Sequence, residues 1–375
     1  MVTNRIATRA PDEAAERLQR LVERMAAKPK FGHAIVGVER GDGSFRWSGA
    51  AGIANADGAP MTPGTPFFIA SVTKLYIATL LLQLYEEGKV DLGAPISAYL
   101  GSERVAGLHR IRGVDHTADI TVFHLLSHTS GLNDYLEGKP NGGKSIYHQI
   151  AGGTDLSWDF DDVLTITRDQ IRHHFSPQDP TADHRKGRYS DTGFQLLIAI
   201  LEEVTGNSFA EALEQRIVRP LDLRQTWLPG ESQPLDPAPV ATDIWSNGRP
   251  LAIPQAMSSF NDLYSNVDDT LEFLGALLGG ELFADPATFP LMEERRNRVI
   301  WPLIHYGLGM MHFKIGRLNA PGREPLNLIG HAGATGSWLF YCPELDLSTT
   351  GTVDEVKARA FPFRFMPKLL RAIVS

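Results

Sequence analysis

Ser71 and Lys74 lie three residues apart in IASVTKLYIATLLLQLYEEG, the stretch from Ile69 to Gly88. Helical spacing of three puts both side chains on one face, one turn apart. The residues that follow are apolar nearly all round (Leu75, Ile77, Leu80, Leu81, Leu82, Leu84), which is the composition of a buried helix. A lysine at the amino end of such a helix is partly desolvated, which disfavours its charge. It also stands at the positive pole of the helix dipole, which opposes a cation by about 0.3–1 kcal/mol. Both effects are expected to lower its pKa, so that Lys74 can take a proton from the Ser71 hydroxyl. The unpaired N–H groups of the first turn can steady an alkoxide, or the oxyanion formed when it attacks a carbonyl. The four residues therefore read as a nucleophile, its base and half an oxyanion hole. The plainer reading is a serine N-cap and a lysine that snorkels to solvent.

Two distant segments carry complementary groups. In GRYSDTGFQLLIAI, Tyr189, Ser190 and Asp191 precede a strongly apolar helix. A phenol near Lys74 would have its pKa lowered by the cation and could relay protons to and from Ser71. The alternative is a capped helix with a packed tyrosine. In LIGHAGATGSWLFYCPELDL, the small residues around His331-Ala332-Gly333-Ala334 would let a strand edge approach a substrate closely. The Ala334 N–H could complete the oxyanion hole, and His331 would offer a polar group at the mouth. The alternative is a glycine-rich strand with bulges.

In this order the three segments resemble the SxxK, Tyr-x-Asn and Lys/His-x-Gly elements of the serine β-lactamase and penicillin-binding protein superfamily. The likeness is greatest to the branch that holds class C β-lactamases, D-alanyl-D-alanine carboxypeptidases, D-aminopeptidases and related esterases. PFFIASVTK, LLSHTSGL, EEGKVDLGAPISAYL, YGLG and GATGSWLFYCPELDL also look alike, so the resemblance covers nearly the whole chain. It implies an α/β (α+β) fold: an antiparallel sheet flanked by helices, a mainly helical second domain, and a site in the groove between them. It implies Ser71 as the acylated nucleophile, Lys74 and Tyr189 as the proton-handling pair, and the N–H groups of Ser71 and Ala334 as the oxyanion hole. Asp191, His331 and Gly333 would meet the substrate, and no cofactor or metal is implied. The partner would be a small ester or amide.

Two departures bear on substrate. Asp191 replaces the usual Asn, and an ionised carboxylate only accepts hydrogen bonds where an amide does both. Asp191 could instead pair with Lys74, keep it charged and shift the base role toward Tyr189. His331 replaces the lysine typical of efficient β-lactamases, and a neutral histidine holds a substrate carboxylate less strongly. Both favour an esterase, amidase or peptidase over a true β-lactamase or D,D-carboxypeptidase. A catalytically silent binder is the remaining alternative.

The elements that must bring these segments together are legible in outline. The amino-terminal stretch predicts an amphipathic helix from about Pro11 to Met25, and HAIVGVERGDGSFRWSGAAGIAN predicts two strands turning at Gly41-Asp42-Gly43. Helical patterns and long polar loops, around Glu137 to Leu156 and Pro229 to Pro254, fill the middle; loops of that length suggest lids or binding loops. Strands return in YGLGMMHFKIG, LNLIGHAG and GSWLFYCPELDLSTTGTV, before a closing helix in FPFRFMPKLLRAIVS. A sheet assembled from both ends, residues 1–95 with 303–375, around a mainly helical insertion, 96–302, closes this order. The net charge of −8 with both signs mixed, and no basic tract, argues against a nucleic-acid partner. The single cysteine, Cys342, excludes an internal disulfide. No apolar run is long enough to span a bilayer, and the amino terminus lacks the apolar core of a secretory signal, so a cytoplasmic location is expected, or a secreted or periplasmic one if a signal was removed. His124 and His128, four apart, have no accompanying HExxH glutamate, and GxSxG is absent. Nothing in the sequence predicts the oligomeric state.

Overall fold

The computed structural model describes residues 8–294, 296–300, 304–321 and 324–375. Chain-end residues supply most of one large sheet. Its strands, numbered in chain order, are β1 (His33–Arg40), β2 (Arg46–Gly52), β3 (Asn297–Ile300), β4 (Ile304–Tyr306), β5 (Met311–Ile315), β6 (Leu326–Ala332), β7 (Trp338–Cys342) and β8 (Leu347–Thr352). They lie in the order β2-β1-β8-β7-β6-β5-β4-β3, every pair antiparallel. The β1–β8 pairing, with Ile35 opposite Thr352, joins the two ends of the chain. The boundary expected at 302/303 falls outside the described residues, and β3 already belongs to the sheet.

Alternation along the strands sends side chains to two helical layers. On one face Trp338 Nε1 donates to Thr349 Oγ1 (3.2 Å) beneath helices α1 (Pro11–Ala26) and, at the carboxyl end, Phe361–Ile373. Helix α1 starts with Pro11, carries Asp12 and Glu13 in its first turn, and buries Ala14, Leu18, Val22 and Met25 on one stripe. On the other face Thr270 Oγ1, on the helix Val267–Gly279, donates to Thr350 Oγ1 (3.0 Å). A Cβ at Gly37 of β1 would stand 2.2 Å from Val267 Cγ1, so glycine sets how closely that helix approaches.

The Ser71 region departs from one continuous helix. A single 3-10 turn, Ala70–Val72, leads into α2 (Thr73–Glu86), and Gly88 at φ +70° follows its end. Helix α2 is buried on nearly every side; Tyr76 stacks on Phe273 with ring centroids 3.6 Å apart. It also packs on α3 (Asp191–Thr205), the apolar helix that follows Tyr189. Between α2 and β3 the chain forms mostly short helices and loops, and the two long loops contribute Glu137, Tyr147, Ile150, Ile244 and Ile253 to the wall of a cavity. Among the described residues no helix is long and apolar enough to cross a membrane.

Gly309 couples the sheet to α2. It sits at φ +73°, donates to Leu126 O (2.9 Å), and a Cβ there would lie 2.1 Å from Ala78 Cβ. Gly309→Ala is expected to destabilise the fold by about 1–3 kcal/mol in urea unfolding, through both strain and overpacking. Adding Ala78→Gly should recover the packing part alone.

Candidate active site

The turn that carries Ser71 is held in an uncommon conformation. Ala70, next to it, has φ +47°, a region that costs a non-glycine residue about 1–3 kcal/mol unless its surroundings impose it. Those surroundings are explicit. Ile69 N donates to Leu263 O (2.9 Å), and Leu263 N donates to Thr73 Oγ1 (2.9 Å). From the strand side, Ser337 Oγ donates to Ile69 O (2.8 Å) and Thr335 Oγ1 to Phe68 O (3.4 Å). Gly333, just past β6, is required for this contact. A Cβ there would meet Ser337 Oγ at 2.1 Å, Ile69 O at 2.7 Å and Ala70 Cβ at 3.0 Å.

Ser71, Lys74, Tyr189, Asp191, Gly333 and Ala334 all line one cavity of about 790 Å³. Lys74 Nζ donates to Ser71 Oγ (3.3 Å) and lies 2.5 Å from Asp191 Oδ1. It also stands 5.4 Å from the centre of the Tyr189 ring and 5.3 Å from that of Phe194. Among the described residues the N–H groups of Ser71 and Ala334 donate to no protein acceptor. They are the two donors expected to face an oxyanion.

The expected lowering of the Lys74 pKa is reversed. Burial does oppose the charge, but Asp191 and Asp262 together outweigh it, and the ammonium is held well above the ordinary lysine range. The expected lowering at Tyr189 is reversed too. Its hydroxyl is buried; burial and the nearby Asp191 raise its pKa well above the usual phenol value, and Ser71 lowers it only in part. That hydroxyl makes no protein hydrogen bond of normal geometry among the described residues, although Ser71 is close enough to act on it. In the free protein, then, Lys74 is an ammonium and Tyr189 a neutral phenol.

His331 is not at the mouth. It is fully buried and does not line the cavity. Nε2 faces Tyr306 Oη (2.9 Å) and Nδ1 faces Ala332 O (2.9 Å), which fits a neutral ring donating from Nδ1 and accepting at Nε2. Burial, then Lys74, pushes its pKa down to about 3. A direct contact with a substrate carboxylate is therefore excluded by position, and His331 belongs to the layer behind Tyr189. His128 completes that layer: its ring centre lies 4.4 Å from those of both Tyr189 and Tyr306, and its Nδ1 accepts from Ser190 N (3.3 Å). His124 faces elsewhere, with Nε2 2.5 Å from Gln178 O. Trp338 is fully buried in the sheet core.

Two acids absent from the sequence reading complete the site. Asp134 is buried and accepts from Asp191 N (3.0 Å), Leu136 N (2.8 Å) and Glu137 N (3.0 Å); burial and Asp191 push its pKa up. Half-buried Asp262 is pushed up to about 7 by burial, with Lys74 pulling it down and Asp191 up. The available signal was a repeated Asn-Asp pair, Asn133-Asp134 and Asn261-Asp262, each beside aromatic and aliphatic residues.

Comparison with known proteins agrees with this geometry. The family model described as Beta-lactamase matches residues 18–358. The chain belongs to that family. Esterase EstB of Burkholderia gladioli is 31% identical over 214 residues, 56% of this chain and 50% of its own. The putative penicillin-binding protein PbpX of Bacillus subtilis is 26% identical over 285 residues, 74% of this chain and 62% of its own. The chain spans about half the length of the curated relatives it matches. A solved D-amino acid amidase from Ochrobactrum anthropi SV3 has the same fold, with TM-score 0.74 and 21% identity over 96% of this chain and 98% of that one.

The Asp262 shift has a consequence for stability. A carboxyl whose folded-state pKa exceeds its unfolded-state value makes stability fall as pH rises between the two. Here that window runs from the ordinary value of 3.8 to about 7. Asp262→Asn lacks the penalty. It should be more stable than the parent at pH 8 by about 1–2 kcal/mol, a full shift discounted for partial exposure, and no more stable at pH 4, as measured by urea unfolding.

Proposed function

We propose that the protein is a serine hydrolase that cleaves a small ester or amide through an acyl-enzyme on Ser71, in a groove between a sheet domain (1–95 with 303–375) and a mainly helical one (96–302). The observation that carries this reading is the convergence of three distant segments on one cavity: Ser71 on the turn before α2 with Lys74 in the first turn of α2, Tyr189 before α3, and Ala334 after β6. Relatives named as an esterase, an amidase and penicillin-binding proteins are consistent with it.

The resting protonation states constrain the proton path. Lys74 is charged and donates to Ser71 Oγ, so its part is to stabilise negative charge as it develops on that oxygen. Tyr189, a neutral phenol beside Ser71, relays. Ser71 Oγ attacks the carbonyl carbon, its proton passes to Tyr189 Oη, and the Tyr189 proton passes to the leaving group. No free phenolate forms at any stage. The carbonyl oxygen takes up negative charge facing the N–H groups of Ser71 and Ala334. In deacylation a water attacks the acyl carbon and its proton returns through Tyr189 to Ser71 Oγ. Proton transfer of this kind is worth on the order of 10²–10⁴ in rate, and each oxyanion donor about 10²–10³.

The burial of His331 favours an ester, amide or peptide over a β-lactam, because that strand position offers no cation to a substrate carboxylate. Ser71→Ala should abolish turnover of a p-nitrophenyl ester, and intact mass after brief exposure of the parent should show one acyl group on Ser71. Tyr189→Phe should lose about 10²–10⁴ in kcat while still acylating slowly. Undiminished hydrolysis by Ser71→Ala would rule the nucleophile out. Rapid cleavage of a chromogenic cephalosporin by the parent would overturn the argument from His331.

A further inference from the structure

The cavity beside Ser71 is closed at one end by a wall one residue thick. Gln195, Ile198 and Asn261 line it, and the same three residues line a second hollow of about 650 Å³ on the far side, bordered by Trp158, Glu202 and Glu231. Helix α3 builds this wall by its periodicity. Asp191, Gln195 and Ile198 stand at i, i+4 and i+7, so they form one stripe that begins at the Lys74 ion pair and runs roughly 10 Å along the helix axis. Ile198 is buried although it borders both hollows.

The wall is braced from the opposite side. Asn261 Nδ2 donates to Gln195 Oε1 (2.8 Å), and Gln195 Nε2 donates to Phe260 O (2.9 Å). This double link ties α3 to the loop whose Leu263 bonds Ile69 and Thr73, on either side of Ser71. The Phe260 ring continues the brace, with its centre 6.0 Å from that of Phe68 in the cavity and 5.2 Å from that of Trp158 at the second hollow. Trp158 Nε1 in turn donates to Tyr135 Oη (3.1 Å).

The two sides differ in character. On the Ser71 side Phe68, Phe194 and Phe260 surround the stripe. On the other, Glu202 and Glu231 bring carboxyl groups, whose pKa values burial raises. An apolar chain that stops at the wall keeps its aromatic contacts, whereas one that passed it would meet polar groups that favour water. In the proposed proton path Tyr189 hands its proton to the leaving group, which therefore lies at the amino end of α3. The acyl group, on the other side of the carbonyl carbon, is the part of the substrate free to run along the stripe.

We propose that Ile198, braced by the Gln195–Asn261 link, is a specificity-determining residue: it is the end wall of the acyl pocket and sets the longest unbranched apolar acyl group that the site accepts. The inference rests on the hydrolase reading for the placement of the carbonyl and the leaving group.

Two chain-length series test it. The parent, Ile198→Ala and Ile198→Phe are compared on p-nitrophenyl esters from acetate to dodecanoate, with kcat/KM read for each. In the parent the value should climb by roughly fourfold for each methylene that the pocket buries, then fall once the chain meets the wall. Ile198→Ala should move that fall to longer acyl chains and raise the dodecanoate-to-acetate ratio by roughly tenfold or more, the effect of about two further buried methylenes. Ile198→Phe should move the fall to shorter chains. If Ile198→Ala does not fold, Ile198→Val deletes one methyl group and should shift the limit in the same direction by less. The second series needs no turnover. Titration calorimetry of straight-chain methyl ketones, on the full chain carrying Ser71→Ala with and without Ile198→Ala, should show the same displacement in the length at which affinity stops rising. A parent without a length limit, or a limit that stays in place when residue 198 changes, overturns the proposal. Ester hydrolysis whose length limit is indifferent to residue 198 would sink this inference and leave the hydrolase reading intact. A ketone limit that follows residue 198, in a protein that hydrolyses no ester or amide, would do the reverse.

Discussion

The Lys74–Asp191 ion pair is the constraint on which the site depends. An ammonium at the amino end of a buried apolar helix faces a desolvation cost and an unfavourable dipole. Without a partner both effects would lower its pKa. At 2.5 Å Asp191 reverses that outcome, and α3 delivers the carboxylate from its own first turn. The pair also ties together two buried helices, α2 and α3, that are far apart in sequence. A buried pair of this kind contributes little net stability compared with apolar packing, but removing one partner leaves an uncompensated charge. Its role is therefore better described as fixing a protonation state than as holding the fold together.

That protonation state reorganises the chemistry around it. In the proposed hydrolysis a charged Lys74 is not the resting base for Ser71 but the counter-charge for the oxygen that loses a proton. Tyr189, with its hydroxyl buried beside Asp191, is likewise not a ready phenolate. In the proposed relay, passing one proton in and another out avoids the costly anion. Behind Tyr189 the neutral rings of His128 and His331 and the hydroxyl of Tyr306 form a packed layer that sets the phenol's position. Their burial keeps them uncharged, so they shape the site without adding a second cation next to Lys74.

Strain at Ala70 and the absence of a side chain at Gly333 are two parts of one arrangement. The left-handed turn lets the Ser71 region meet the end of β6, and the glycine lets that strand come within contact of it. Four hydrogen bonds from residues 263, 335 and 337 secure the turn. The same loop that supplies Leu263 supplies Asp262. The scaffold that orients the serine therefore also fixes Asp262, one of the two acids that hold the Lys74 charge.

Local spacing and pattern determined much of this in advance. The i, i+3 separation of Ser71 and Lys74, the apolar run behind them, the Tyr-Ser-Asp start of α3 and the small residues after His331 are covalent facts, and helix and strand periodicity turn them into positions on faces. The strand-rich ends and helical middle were legible for the same reason. Tertiary structure alone decided the electrostatics. The sign of the Lys74 shift depends on Asp191 and Asp262, acids distant from it in sequence, and that of the Tyr189 shift on burial first and then on Asp191. His331 was misplaced because one residue in a strand can face cavity or core, and only the packing of Tyr306 against it fixes which. Spacing follows from bonds along the chain, whereas burial and charge follow from what the folded chain brings alongside.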